Sequence, residues 1–211
     1  MDYKILARAV AKRIESKLSK LFHTDQTGFV KGRFIGQNMR LLNDLMEYTN
    51  DKKIPGILLF IDFEKAFDSI EWDYIRDVLK PFNFGPIIRN WISILYTDIE
   101  SGVMNGGYMT NFVAVTRGVR QGCPLSPLLF VLGAEILAQK IRQSSECKGI
   151  KVPQNVEAKR TQFADDTTLV YHDIEALTKN VNILDDFRKI SGLKLNKKKT
   201  KALWIGSAKG N

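Results

Sequence analysis

The run Ile57-Leu58-Leu59-Phe60-Ile61 is continuously apolar, follows the breaker Pro55-Gly56 and ends abruptly on Asp62. A short unbroken apolar run of this kind makes a buried strand. A carboxylate at its end is costly unless it meets a partner or a metal; a helix N-cap or a salt bridge just outside the sheet would also satisfy it. A second acidic feature lies far downstream. Asp165-Asp166 sits between Thr161-Gln162-Phe163-Ala164 and Thr167-Thr168-Leu169-Val170-Tyr171, where a hairpin should turn. Asp is a common turn residue, so an ordinary turn reads equally well from these positions alone. A hairpin packed beside the first strand would gather three carboxylates, and like charges that close are unstable without cations. Hard oxygen ligands with no His or Cys nearby favour Mg²⁺ over zinc. Two such ions about 3.5–4 Å apart stabilise both the attacking and the leaving oxygen of a phosphoryl transfer.

Composition is compatible with such a role. The 211 residues, 44% hydrophobic and 26% charged, suffice to bury a core, as one large domain or two small lobes. With 32 Lys+Arg against 23 Asp+Glu the net charge is +9, which favours a polyanionic partner, nucleic acid ahead of an anionic membrane. Two cysteines, Cys123 and Cys147, form neither a disulfide framework nor a zinc pattern and fit a reducing compartment. No apolar run nears the roughly 18–20 residues of a membrane span, and no signal peptide opens the chain. The expectation is an intracellular protein with no membrane partner.

Periodicity predicts a basic amphipathic helix over about residues 5–21, with Ile14, Leu18 and Leu21 on one face. A glycine-punctuated basic loop, 28–36, leads into a second helix through Leu41, Leu45 and Met46. After the apolar strand come helical patterns at about 72–82 and 87–96, then two short strands around the hairpin turn Asn105-Gly106-Gly107. A loop over 118–127 precedes a helix at 128–141, for which Pro127 suits the first turn. The last helix carries Ile174, Leu177, Val181 and Leu184 on one face and stops at Ser191-Gly192. Lys197-Lys198-Lys199 then precedes a final apolar stretch, 202–205. Strands and helices alternate without a strict βαβ rhythm, and no linker divides the chain, which suggests an α+β fold.

The context of the aspartates is more specific than their spacing. Phe60-Ile61-Asp62-Phe63-Glu64-Lys65-Ala66-Phe67-Asp68 resembles the first palm motif of reverse transcriptases. Arg120-Gln121-Gly122-Cys123-Pro124-Leu125-Ser126-Pro127 resembles their second, and Phe163-Ala164-Asp165-Asp166 their third. Gly192-Leu193-Lys194-Leu195-Asn196-Lys197-Lys198-Lys199-Thr200 resembles the next motif, and Asp25-Gln26-Thr27-Gly28-Phe29-Val30-Lys31-Gly32-Arg33 a fingers motif. In order and spacing the match is closest to the non-LTR, LINE-type retrotransposon enzymes.

The resemblance implies a polymerase palm, an antiparallel sheet packed on helices, with partial helical and β fingers. Residues 1–55 would be partial fingers, 56–85 palm with the first catalytic motif, 86–117 a fingers/palm insertion with its hairpin, and 118–211 palm with the later motifs. It implies two Mg²⁺ ions, with Mn²⁺ able to substitute, bridged by Asp62 and Asp165, ligated also by the Phe63 carbonyl and supported by Asp166. Phe67 matches a steric gate that selects dNTPs, with ordinary core packing as the lesser alternative. Gln121 and Gly122 would contact the incoming nucleotide and templating base, and Lys4 and Arg33 would hold phosphates or template. Lys197 or Lys198 would stand near the leaving pyrophosphate, or belong to a solvated charge run. Cys123 reads as structural.

The implied function is RNA-directed DNA synthesis with an RNA template, a DNA primer and dNTPs, in the nucleus. The chain starts inside the fingers and stops about where a thumb would begin, so it reads as part of a longer polyprotein whose thumb and endonuclease regions lie outside it. The alternatives are a palm-fold nucleic-acid-binding module that has lost catalysis and a maturase-like splicing cofactor.

Overall fold

The computed structural model describes residues 2–208 of the 211. Two long helices come first, α1 (Asp2–Leu21) and α2 (Ile35–Lys52), followed by strand β1 (Gly56–Ile61). Three short helices follow: α3 (Ala66–Ser69), α4 (Trp72–Val78) and α5 (Pro86–Leu95). A ribbon of four short strands comes next: β2 (Ile99–Ser101), β3 (Met104–Asn105), β4 (Tyr108–Met109) and β5 (Val113–Val115). After helix α6 (Ser126–Gln143) lie β6 (Ile150–Val152), β7 (Val156–Ala158), β8 (Arg160–Phe163) and β9 (Asp166–Tyr171). Helix α7 (Ile174–Ser191) and strand β10 (Lys201–Ile205) follow, with single 3-10 turns at Pro153–Asn155 and Gly206–Ala208.

The central sheet runs β10-β1-β9-β8 with every neighbouring pair antiparallel. β1 is therefore an inner strand, and successive side chains enter opposite faces. Ile57 and Ile61 enter the main core, shared with α1, α4, α6 and α7, while Leu58 enters a smaller one with Leu42 and Leu45 of α2. Burial on both faces is why the strand reads as an unbroken apolar run. The same division holds on β9, where Leu169 and Tyr171 face the large core and Val170 the small one. The fold is mixed helix and sheet, as expected.

Helix α6 runs through the main core. Its successive residues Leu128, Leu129, Phe130, Val131 and Leu132 are all buried, the pattern of a helix enclosed all round. In α1, Ile14 and Leu18 are fully buried, while Leu21 is partly so. Helix α7 begins with an Asp173 N-cap that accepts from Ala176 N–H at 2.8 Å, and ends on Gly192 at φ +77°.

Some element boundaries and faces differ from expectation. α4 stops at Val78, not near residue 82, because Pro81 can neither donate to the helix nor leave its predecessor helical. In α7 the expected apolar stripe is split: Ile174 and Val181 are exposed, Leu177 is half-buried and Leu184 is buried, and the buried line is Ala176, Asn180, Leu184, Phe187 and Ser191. Both lines fit a period of 3.6; the inward one includes Asn180, whose amide donates to the buried Tyr171 hydroxyl. The β6–β7 hairpin was not anticipated at all. The expected hairpin at Gly106-Gly107 is present, joining β3 to β4 with both glycines at positive φ. Among the described residues, no helix is long and apolar enough to cross a membrane.

Candidate active site

Two strand ends bring the aspartates together. β1 pairs with β9 through Ile61↔Thr167, and the same register carried one residue further sets Asp62 across from Asp166. β8 pairs with β9 through Phe163↔Asp166, so Ala164-Asp165 is a two-residue turn at the same end of the sheet. Asp62 and Asp165 are half-buried and Asp166 is exposed. Burial first, then the charges of Asp166 and Asp62, push the Asp165 carboxyl above the ordinary carboxylate range. Three acidic groups thus share one electrostatic field, with no cationic side chain among the causes of that shift.

The other side of β1 is tied down by the segment before β10. Asn196 N–H donates to the Asp62 carbonyl, and Glu64 N–H to the Lys194 carbonyl, each at 2.8 Å, while Phe63 forms a bridge with Leu195. Residues 62 and 64 therefore spend their backbone groups on that side. Antiparallel alternation turns the N–H and carbonyl of Phe63 the other way, toward the side where the aspartate turn lies. Its ring is buried in the main core. The carboxylates are not already closed around one point: among the described residues, no three His, Cys, Asp or Glu side chains are grouped closely enough to hold a metal ion. The oxygen-only donor set nevertheless fits a hard divalent cation, whose charge would relieve the repulsion raising Asp165.

The turn rests on a segment to which sequence reading gave only a general fingers role. Gln26 lies alongside Gln162 of β8 as a parallel bridge, with Thr27 N–H donating to the Gln162 carbonyl at 2.9 Å and Gln162 N–H to the Asp25 carbonyl at 2.8 Å. Gly28 sits so close that a Cβ built there would lie 2.2 Å from Ala164 N and 3.0 Å from Ala164 Cα. The Gly28→Ala variant must therefore displace the turn. It is expected to cost about 1–3 kcal/mol of stability, read by thermal melting. A variant that melts with the parent would mean that the turn gives way at this contact without cost.

Behind the turn lies a buried ion network. Arg142 Nη1 contacts both carboxylate oxygens of Asp25, at 3.0 and 2.9 Å, and its Nη2 donates to Glu135. Arg160 Nε lies 3.7 Å from Asp25, and its guanidinium also donates to Gln162 Oε1. Burial pushes the Glu135 carboxyl up, opposed by the Arg142 and Arg160 charges. Two arginines and two acids thus close a neutral cluster joining α6, β8 and the loop after α1. These residues lie far apart in the chain, and no local pattern marks them.

The remaining expected residues separate into four places. A cleft of about 1180 Å³ is lined by Lys4 and Gly122 together with Arg8, Lys12, Lys31 and Phe34. Phe163, at the foot of the aspartate turn, also lines it. Lys4, Arg8 and Lys12 recur every four residues along α1, about 6 Å apart, and no acidic partner pairs with them among the described residues. Arg33 reaches the cleft, but its guanidinium is committed to backbone carbonyls: His23 at 2.5 Å, Gln26 at 2.7 Å, Phe22 at 3.0 Å and Ser19 at 3.4 Å. It satisfies carbonyls at the end of α1 and in the loop that follows. Gln121 opens on a neighbouring hollow with Arg117 and Arg120.

Phe67 is half-buried and stacks on the fully buried Phe130 of α6, centroids 4.6 Å apart. Lys197 and Lys198 are exposed on the turn before β10. Cys123 is buried and shares a 3.3 Å hydrogen bond with the Tyr3 hydroxyl, in keeping with a structural part.

Comparisons with known proteins converge. A family model described as reverse transcriptase (RNA-dependent DNA polymerase) matches residues 1–207. An uncharacterized 149 kDa protein of transposon TX1 from Xenopus laevis is 32% identical over 208 residues, covering 99% of this chain and 16% of that protein. The Pol polyprotein of the retrotransposable element R2DM from Drosophila melanogaster is 26% identical over 194 residues, 91% of this chain and 18% of that protein. The chain thus spans less than a fifth of the length of these two relatives. Among solved structures, telomerase from Candida albicans, in complex with a fragment of telomeric RNA, superposes with a TM-score of 0.67 at 15% identity, covering 93% of this chain and 34% of that one. At that identity the structural likeness speaks for the fold alone.

Proposed function

The chain belongs to the reverse transcriptase family, among the proteins of non-LTR retrotransposons, and from that premise we propose that it extends a DNA primer on an RNA template at Asp62, Asp165 and Asp166. The observation that carries this reading is the register that brings Asp62 and the Ala164-Asp165 turn to one end of the central sheet. Reverse transcriptases use divalent metal ions. Two Mg²⁺ ions, or Mn²⁺ in their place, would supply Lewis acidity that lowers the pKa of the primer 3′-OH and neutralises charge on the triphosphate. Asp62 and Asp165 would hold them, with the Phe63 carbonyl as a further ligand and Asp166 in support. Asp62 follows inner strand β1 and Asp166 opens inner strand β9, so the backbone that carries the carboxylates is fixed and only their side chains would have to close on the metals.

The basic cleft is suited to the template strand. Unpaired cations at helical spacing can follow a phosphate backbone, and the exposed Phe34 ring offers a face for a base. Gly122 also lines the cleft, and glycine lets backbone approach a nucleotide closely. Lys197 and Lys198 remain candidates for the pyrophosphate side. Work on nucleic acid of this kind would place the protein in the nucleus.

Phe67 has a rigid backing in Phe130, which suits a ring that must exclude a 2′-OH. Phe67→Ala is expected to raise ribonucleotide use relative to dNTP by roughly 10-fold to 100-fold, measured as the ratio of kcat/KM values. Unchanged sugar discrimination would remove the gate. The function itself is tested by extension of a DNA primer annealed to RNA: Mg²⁺-dependent dNTP incorporation that stops with EDTA supports it, and nucleic-acid binding without incorporation points to the catalytically silent alternative.

A further inference from the structure

Ala164 immediately precedes Asp165 and has φ +56°, a conformation that a residue bearing a Cβ keeps only when its surroundings impose it. Both of its backbone groups are held by glutamines. Ala164 N–H donates to Gln26 Oε1 at 3.3 Å, and the same oxygen accepts from Gly28 N–H at 2.8 Å. The Ala164 carbonyl accepts from Gln162 Nε2 at 2.6 Å. Both glutamines are buried, Gln26 completely. Gln26 Nε2 has no hydrogen-bond partner among the described residues. A buried amide that leaves its own donor unpaired to receive two backbone N–H groups is retained for its acceptor, because an unmade hydrogen bond inside a protein is costly.

The clamp is itself braced. Arg160 donates to Gln162 Oε1, leaving Nε2 as the atom that faces Ala164. The backbone on either side of Gln26 is held to β8 by the Asp25 and Thr27 bonds to Gln162. Thr27 and Phe29, next along the same loop, line the basic cleft, so one short segment connects the cleft wall to the aspartate turn. Resting on the polymerase reading above, we propose that Gln26 and Gln162 are positioning residues that lock Ala164 in its left-handed conformation and so aim the Asp165 carboxylate. Neither touches a reacting atom.

Gln26→Met and Gln162→Met keep the length of the side chain and remove the amide. In the 211-residue chain without nucleic acid, Mn²⁺ affinity measured by calorimetry should weaken by roughly 10-fold to 100-fold, the usual effect of losing a group that orients a ligand. Incorporation should slow to a similar degree with the KM for dNTP unchanged, and in Gln26→Met the Ala164 amide should exchange faster with deuterium. Adding Ala164→Gly to Gln26→Met should recover most of both losses, since glycine occupies positive φ without help.

Variants that bind Mn²⁺ as tightly as the parent, or a double variant with no recovery, would overturn the proposal. So would failure of both single variants to fold, which would assign the amides to core stability. If the parent chain neither binds Mn²⁺ nor incorporates nucleotide, the polymerase reading itself fails, an outcome distinct from parent and variants behaving alike.

Discussion

Asp165→Asn is expected to abolish nucleotide incorporation and, in metal-free buffer at neutral pH, to make the protein more stable. Burial and the neighbouring charges of Asp166 and Asp62 raise the folded-state pKa of Asp165 above its ordinary 3.8. Below both values the carboxyl is protonated in the folded and unfolded chain alike, and it has no effect on stability. As pH rises, the unfolded chain releases this proton first, so stability falls until the folded-state value has been passed and the loss then stays constant. Asparagine removes the penalty. Its melting temperature in EDTA should exceed the parent's at pH 7, and the difference should vanish as pH falls below the ordinary carboxylate range. Mg²⁺ should raise the melting temperature of the parent more than that of the variant, because ligands that bind only the folded state stabilise it. Loss of several kcal/mol of charge stabilisation corresponds to a rate defect of roughly 10³-fold or more. A variant that is less stable in EDTA at pH 7 would contradict this account of the site.

Arg142→Met is expected to be the most damaging substitution away from the aspartates. Arg142 holds Asp25 and Glu135 together, and its side chain is only 21% exposed against 8% and 1% for those acids. Removing it leaves two buried carboxylates with Arg160 as their one remaining arginine and His23 Nδ1 3.3 Å from Asp25, and breaking a buried pair of this kind costs about 3–5 kcal/mol. For a chain of this size that is a drop of roughly 10 °C in melting temperature. Adding Glu135→Gln should restore part of the loss by removing one stranded charge. If Arg142→Met melts within about 2 °C of the parent, the network is not what holds the loop after α1 against β8.

Those two sites differ in how much of them can be read from sequence. Asp62 declares itself because an apolar run stops on it, and Asp165-Asp166 because β-prone segments flank it on both sides. Periodicity also finds α1, α2 and α6, since each buries a stripe or a whole circumference of apolar side chains. The ion network offers no such signal. Asp25, Glu135, Arg142 and Arg160 each look like surface charges until the fold pairs them, and pairing is a property of long-range packing. The same is true of Arg33, whose charge reads as a phosphate ligand but whose donors end on carbonyls of the last turn of α1 and the loop after it. In α7, Ile174 and Val181 misled because an exposed apolar residue has the same periodicity as a buried one. Polar Asn180 occupies the inward line because the Tyr171 hydroxyl needs a partner there.

The clamp on Ala164 was present in the sequence only as letters of two motifs. The motif resemblance brought Gln26 and Gly28 to notice, and Gln162 flanks the aspartate turn, yet nothing local joins the segments. Their contact depends on a parallel bridge across more than a hundred residues of chain. Loop-closure entropy makes such pairings invisible to local propensity, and only the assembled sheet reveals them.

The central claim is that three strand-end carboxylates run metal-dependent DNA synthesis on RNA. The most direct test is single-nucleotide incorporation by the purified chain on an RNA template with a DNA primer, followed against Mg²⁺ concentration for the parent, Asp62→Asn and Asp165→Asn. The account predicts incorporation that rises with Mg²⁺ in the parent and none above background in either variant at any Mg²⁺ concentration. Incorporation by Asp165→Asn at the parent's rate, or a parent rate that does not depend on a divalent cation, would contradict it.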